Sequence, residues 1–305
     1  MPAKKRALVL GVERLDKHVY GFDGVLPGAE GDAAEMASVA RGAGFDRVEV
    51  LPRGKRTVGA LLDGIAAAAA ELRAGDLFLL SFSGHGLPVK ANASEPDGSS
   101  EDDGFDESWC LFDGWLLDDY IYHALSAFCT GVRVFVVSDS CHSGTVVHLL
   151  EDRDPAEKQV PRGVAEHLST TRRGSEATAR RLLAEARREL QAGVLLLAAC
   201  ADDQVTRDGG ANGEFTRAFL DVWAGGAFAG TYAELCERIE DTLRPRVSPR
   251  VQTPQLLFIG AGPDFRATRV FSLPSDESHA LVDGPAGNRR GSPAERPQHR
   301  PQRLA

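Results

Sequence analysis

The chain has no apolar run approaching the ~20 residues that a membrane-crossing helix needs. The N-terminal stretch MPAKKRALVLGVE has a basic start and an apolar run, but charge returns at Glu13, Arg14 and Asp16. That reads as a first core strand, not as a secretory leader. Positive charge is not in excess. Lys and Arg number 35 against 44 Asp and Glu, for a net charge of −9 and a pI near 5.4. That balance argues against a nucleic-acid-binding body. Cysteine is sparse and odd in number: Cys110, Cys129, Cys141, Cys200 and Cys236. No Cys/His set has zinc-ligand spacing. Without an export signal, such a set argues for a reducing, cytoplasmic setting and against a disulfide framework.

What is present is ordinary globular composition, 43% hydrophobic and 26% charged over 305 residues, enough for one large domain or two modest ones. Short apolar runs at 6–11, 47–51, 76–82, 133–138, 193–199 and 255–259 read as strands. Helical patterns lie near 31–42, 57–73, 117–129, 177–191, 213–222 and 231–243. This alternation predicts an α/β fold, a mostly parallel central sheet of about six strands with helices on both faces. Three segments differ. Residues 88–107 form a polar loop with seven acidic residues from Glu95 onward, 151–176 are polar and poor in apolar residues, and 273–305 read as a disordered tail.

Chemistry concentrates at two predicted strand ends. One is LFLLSFSGHG at 77–86 and the other is VSDSCHSGT at 137–145. Open α/β sheets present sites at such ends. His85 and Cys141 each lie just beyond a strand, and neighbouring parallel strands would bring them to one edge. A cysteine with a base beside it is a nucleophile. His142 is adjacent to Cys141, but neighbours in an extended segment point apart, so His85 is the better base. The backbone N–H groups of Gly86 and Cys141 suit an oxyanion hole. The other four cysteines read as small buried apolar residues.

The paired SGHG and DSCHSG motifs resemble the caspase-like cysteine peptidases (peptidase C14-like), in the metacaspase and prokaryotic orthocaspase branch. The resemblance runs over about residues 5–262. It takes in ALVLGVERL, LPGAEGDAAEMASVARGAGF, DDGFDESWCLFD, LLAACADDQVTRD, GEFTRAFL and QTPQLLFIG. It implies a large-subunit-like region over 1–150, a polar linker over 151–191 and a small-subunit-like region over 192–272. It also implies a His85–Cys141 dyad that cleaves protein or peptide substrates after Arg or Lys. The pocket for that side chain (S1, for the P1 residue) falls on Asp32, Ser83 and Asp139. Asp32 could instead be a helix N-cap, and Asp139 part of a structural turn. The family often has Cys and Asn just before the position of Asp32, where this chain has Gly28-Ala29-Glu30-Gly31.

The resemblance further implies calcium ligands at Asp106, Asp118 and Asp119, with Asp102 and Asp103 as further candidates. Clustered carboxylates suit Ca²⁺, but a solvated acidic loop beside a helix start fits equally. His148 stands where the family has a further aspartate. The chemistry itself needs no cofactor. Basic pairs in the linker make Arg172 and Arg173 the expected self-cleavage positions, since exposed polar loops are where nicking concentrates. With no recognisable sensor segment, a separate regulatory protein, an ion or processing would be the trigger. Two rivals remain: a catalytically silent caspase-like interaction module, and a peptidase with another P1 preference.

Overall fold

The computed structural model describes residues 2–87, 89–90, 105–106, 108–140, 158, 160, 190–200, 209–244, 252–262 and 264–274. Residues 1–273 form one compact unit. The six predicted strands all form and join a single sheet. They are β1 (Lys5–Gly11), β2 (Arg47–Val50), β3 (Leu77–Ser83), β8 (Arg133–Asp139), β9 (Gly193–Ala198) and β10 (Gln255–Ile259). Their spatial order is β10-β9-β8-β3-β1-β2. Every pairing is parallel except β9 with β10. Four short strands lie outside that sheet: β4 (Val89–Lys90) pairs with β5 (Phe105–Asp106), and β6 (Ser108–Leu111) with β7 (Gly114–Leu117).

The central strands are apolar on both faces because both faces are covered. Along β3, Phe78, Leu80 and Phe82 point into one core and Leu77 and Leu79 into the other. The same period of two runs through β8, with Val134 and Val136 opposite to Phe135 and Val137. The first core is closed by α1 (Lys17–Tyr20), α3 (Val58–Glu71), α4 (Asp118–Leu125) and the β6–β7 hairpin. The second is closed by α2 (Pro27–Gly42), α5 (Glu214–Trp223) and α6 (Tyr232–Leu243). Each fully buried Phe or Leu stabilises by about 1.5–3 kcal/mol. The edge strands β2 and β10 are only half-buried, as edges must be.

Local chemistry sets the helix ends. Pro27, whose fixed φ suits the first helical turn, opens α2 four residues before the predicted start. Thr57 caps α3 through the Ala60 amide, and Thr231 with Glu234 forms a reciprocal capping box on α6. The sequence pattern did not predict the β6–β7 hairpin. Its strands have four residues each and are almost wholly buried, so they show no alternation.

Candidate active site

The site is built where β3 and β8 end. These strands are parallel neighbours, and Ser83 pairs with Asp139 in their ladder. The offset of that pair, 139 − 83 = 56, equals that of His85 and Cys141, 141 − 85 = 56. The two chains leave the sheet in step, and Gly84 N–H still reaches the Asp139 carbonyl at 3.3 Å. Cys141 itself lies outside the described residues.

His85 follows β3 and is 4% exposed. Phe22 meets its ring edge-on at 6.0 Å between centroids. Gly24, at φ +46°, sits so close that a Cβ there would approach His85 Cδ2 at 3.2 Å. The backbone is anchored from the other side by the hairpin, through Cys110 N–H to the His85 carbonyl at 2.9 Å. Trp109 stacks on Phe82 at 4.4 Å and donates its indole N–H to Ser138 Oγ at 3.0 Å. The hairpin thus braces both strand ends.

Asp32 reaches the same place from α2. It lies inside that helix, which begins at Pro27, so the N-cap alternative does not apply. A Cβ at Gly11 would run into the Ala29 backbone, so glycine there lets α2 lie close on β1. Asp32 is 1% exposed. Ser83 Oγ donates to its Oδ2 at 2.7 Å. Gly213 N–H and Asn212 Nδ2 donate to its Oδ1 at 2.8 and 3.2 Å. Asp139, also 1% exposed, accepts from Thr216 Oγ1 at 2.8 Å. Asp32, Ser83 and Asp139 are therefore brought together, with Asn212, Gly213 and Thr216 completing the wall.

Lys158 fills this chamber. Its ammonium lies 2.9 Å from Asp32 Oδ2, 2.9 Å from Asp139 Oδ2 and 2.9 Å from Ser83 Oγ, and the side chain is wholly buried. Three partners match the three protons an ammonium can donate. Burial alone would lower the Lys158 pKa, but the charges of Asp139 and Asp32 outweigh it and hold it above the ordinary value. Burial pushes the Asp139 carboxyl up, against the pull of Lys158, and the nearby charge of Asp32 adds to the rise. The Lys158 backbone is engaged too. Its carbonyl accepts from Gly86 N–H at 3.0 Å, and Val160 N–H donates to the Gly86 carbonyl at 3.1 Å.

Sequence reasoning missed Lys158, Asn212, Gly213 and Thr216. The last three stand at the start of α5, in the quoted stretch around GEFTRAFL, and a search for polar residues at that helix start would have found them. Lys158 is the one lysine of the linker, but nothing local in the sequence marks it, among that segment's many arginines, as the buried cation. Within the polar linker, Lys158 and Val160 are buried, at 0% and 1% exposed. Arg172 and Arg173 lie outside the described residues.

Other expectations divide. Glu30 does not face the chamber: it pairs with Arg53 and Arg56. Cys110 and Cys200 are buried as expected and Cys236 is partly buried, but Cys129 is exposed. Of the calcium candidates, Asp102 and Asp103 lie outside the described residues, and Asp106 is described only as part of β5. Asp118 and Asp119 form the first turn of α4, where Asp118 Oδ1 accepts from Asp119 N–H at 2.8 Å. No group of three or more His, Cys, Asp or Glu suited to a metal occurs among the described residues. Those residues do not by themselves fit the six to eight oxygens that Ca²⁺ requires. No helix among them is long and apolar enough to cross a membrane.

Known proteins share sequence and fold with this chain. The chain is 31% identical over 157 residues to metacaspase III c of Phaeodactylum tricornutum, covering 48% of this chain and 44% of that one. It is 26% identical over 298 residues to metacaspase-1 of Mycosarcoma maydis, covering 84% and 70%. It spans less than half the length of metacaspase III c and about a third of metacaspase-3 of Trypanosoma cruzi, where 139 residues match at 30% identity. Among solved structures, the crystal structure of protein GSU0716 from Geobacter sulfurreducens superposes with a TM-score of 0.73. It shares 36% identity, covering 88% of this chain and 99% of that one. The family model of the caspase domain of peptidase family C14 matches residues 4–259, and the chain belongs to that family.

Proposed function

We propose that this chain is a cysteine endopeptidase that cuts after lysine or arginine, with Cys141 as nucleophile and His85 as its base. The observation that carries the specificity is the Lys158 ammonium, wholly buried and held by two carboxylates and a hydroxyl. A chamber that holds one basic side chain this completely is complementary to another. Paired carboxylates also suit a guanidinium, which carries five donors and stays charged. A P1 aspartate would face two buried negative charges with no cation, which specific sites reject strongly.

In the proposed cycle, His85 takes the Cys141 proton, and the thiolate attacks the carbonyl after the basic residue. Gly86 N–H, which holds the Lys158 carbonyl in this structure, stabilises the oxyanion. His85 then protonates the leaving amine, and water resolves the thioester. The chemistry requires no cofactor. Calcium, where it acts, acts on the acidic stretch between Asp102 and Asp119 and outside the bond-breaking steps.

The test is hydrolysis of peptides that differ only at P1, by wild type, Cys141→Ala and His85→Ala. Cleavage of Lys and Arg peptides by wild type alone is expected. Turnover by Cys141→Ala would remove the assigned nucleophile. Turnover by no form would favour an interaction module.

A further inference from the structure

We propose that Trp109, acting through Ser138 and Ser140, is a positioning residue that sets the spacing between the segment carrying His85 and the segment leading to Cys141. The inference rests on the peptidase reading above and adds residues that lie outside the dyad and its carboxylate chamber. Three buried polar groups carry it, linked in one chain of hydrogen bonds between the β6–β7 hairpin and the end of β8.

The period of two gives the faces of β8 different work. Phe135 and Val137 face the core under α2 and α5, and Asp139 continues that row into the chamber, where it meets Thr216. Val134 and Val136 face the other core, and Ser138 continues that row toward the hairpin. The second row thus turns from valine to serine at the strand end, and Ser140 follows it, directly before Cys141. Ser138 and Ser140 are 1% and 0% exposed. A hydroxyl sealed from water costs stability unless it finds partners. Here the two Oγ atoms find each other at 3.0 Å, and the Trp109 indole N–H donates to Ser138 Oγ at 3.0 Å.

Trp109 is fixed to the His85 segment by both its ring and its backbone. The ring lies flat on Phe82, with centroids 4.4 Å apart and planes 7° from parallel. Phe82 is the register partner of Ser138 across β3 and β8, so one indole spans both strands at a single level. The Trp109 backbone forms a bridge with Gly86. Its two neighbours extend that contact. Cys110 N–H donates to the His85 carbonyl at 2.9 Å, and Leu87 N–H donates to the Ser108 carbonyl at 3.2 Å. Ser108 Oγ returns a bond to the Leu87 carbonyl at 2.7 Å. Strand β6 therefore runs along residues 85–87, while its tryptophan reaches across to residues 138 and 140.

A tryptophan that served packing alone would need the stack on Phe82 and no acceptor for its N–H. The acceptor it has belongs to a pair of serines that ends one residue before the nucleophile. Two groups that exchange a proton must be placed closely, and a misplacement of about 1 Å can cost about 100-fold in rate. The chain of hydrogen bonds supplies that placement from the hairpin side. The chamber lies on the opposite face of β8, so breaking the chain should slow the chemistry and leave the binding of a basic side chain in place. Looser placement of His85 against Cys141 should also weaken the support that a nearby imidazolium gives a thiolate.

The closing experiment uses the purified full chain as wild type, Ser138→Ala, Ser138→Thr and Trp109→Phe. Kinetics on a Lys peptide give kcat and KM separately. Mass spectrometry follows alkylation of Cys141 by iodoacetamide against pH. Ser138→Ala removes the link between the indole and Ser140. It should lose about 10–100-fold in kcat with KM unchanged, and its alkylation midpoint should rise toward the free-thiol value of about 8.5. Trp109→Phe keeps a ring on Phe82 and deletes the donor, and it should behave as Ser138→Ala does. Ser138→Thr keeps the hydroxyl and should stay close to wild type in both readings. Should Trp109→Phe fail to fold, the two Ser138 variants decide. An unchanged kcat in Ser138→Ala, or a lowered kcat with an unmoved alkylation midpoint, would overturn this proposal and leave the peptidase reading standing. Should wild type hydrolyse nothing, the peptidase reading falls, and the alkylation midpoint alone decides: a rise in Ser138→Ala supports the positioning role and no change overturns it.

Discussion

Two carboxylates two residues apart on α2, Glu30 and Asp32, meet opposite fates. Two residues turn a helix by about 200°, so they face different surroundings. Glu30 has a side chain 36% exposed and grips Arg53, at 2.8 and 3.0 Å from Nε, and Arg56 at 3.2 Å. Hydrogen bonding from Arg53, assisted by Arg56, holds its pKa down at about 2. Asp32 is sealed against β3 and α5 and takes Lys158 as its cation. The chemistry is the same in both places, a carboxylate and a basic side chain. Water makes the first pair a weakly stabilising surface contact that salt screens. Burial makes the second a demand, because a carboxylate without a cation there is costly. A surface pair serves the fold; the buried pair can select a ligand.

The sharpest way to break this contrast is to remove one buried carboxylate. Asp139→Ala should lose about 2–5 kcal/mol of transition-state stabilisation on Lys and Arg peptides, as when one member of a buried charge pair is removed. Steady-state kcat/KM measures it, and an unchanged value would place Asp139 outside the pocket's work. Thr216→Val comes next. It deletes a hydrogen bond to the Asp139 carboxylate, donated at 2.8 Å. The expected loss in the same assay is about 1.5–3 kcal/mol, the usual worth of a hydrogen bond to a charged group.

Glu30→Gln should have the smallest effect, with peptide hydrolysis unchanged. Its stability consequence has a defined sign. A pKa held down at about 2 contributes stability that is present above the ordinary carboxylate pKa and lost as pH falls from about 4.5 toward 2. The variant should therefore melt slightly below wild type at pH 7, and the two should converge as pH falls to about 2. Melting curves at those pH values check it. A loss of peptidase activity in Glu30→Gln would mean that the two carboxylates are not separate.

The sheet was legible because its strands are short apolar runs with β-branched residues, and β10 matches its predicted bounds at Gln255–Ile259. The place of His85 just beyond β3 was legible because the apolar run before it ends in Ser83 and a glycine. The offset of 56 residues, shared with the Ser83–Asp139 register, was already present in the motif spacing. The β6–β7 hairpin was not legible, because complete burial erases the alternation that marks a strand. Lys158 was not legible for a different reason. Its partners Asp32, Ser83 and Asp139 lie 126, 75 and 19 residues away in sequence, and no local pattern encodes a contact made only by the folded sheet.

The most direct measurement of the central claim is a cleavage-site profile on a mixed peptide library, with Cys141→Ala beside wild type. The account predicts that nearly all cuts follow Lys or Arg and that none appears with Cys141→Ala. Cuts after Asp or after apolar residues, or an unchanged profile with Cys141→Ala, would contradict it.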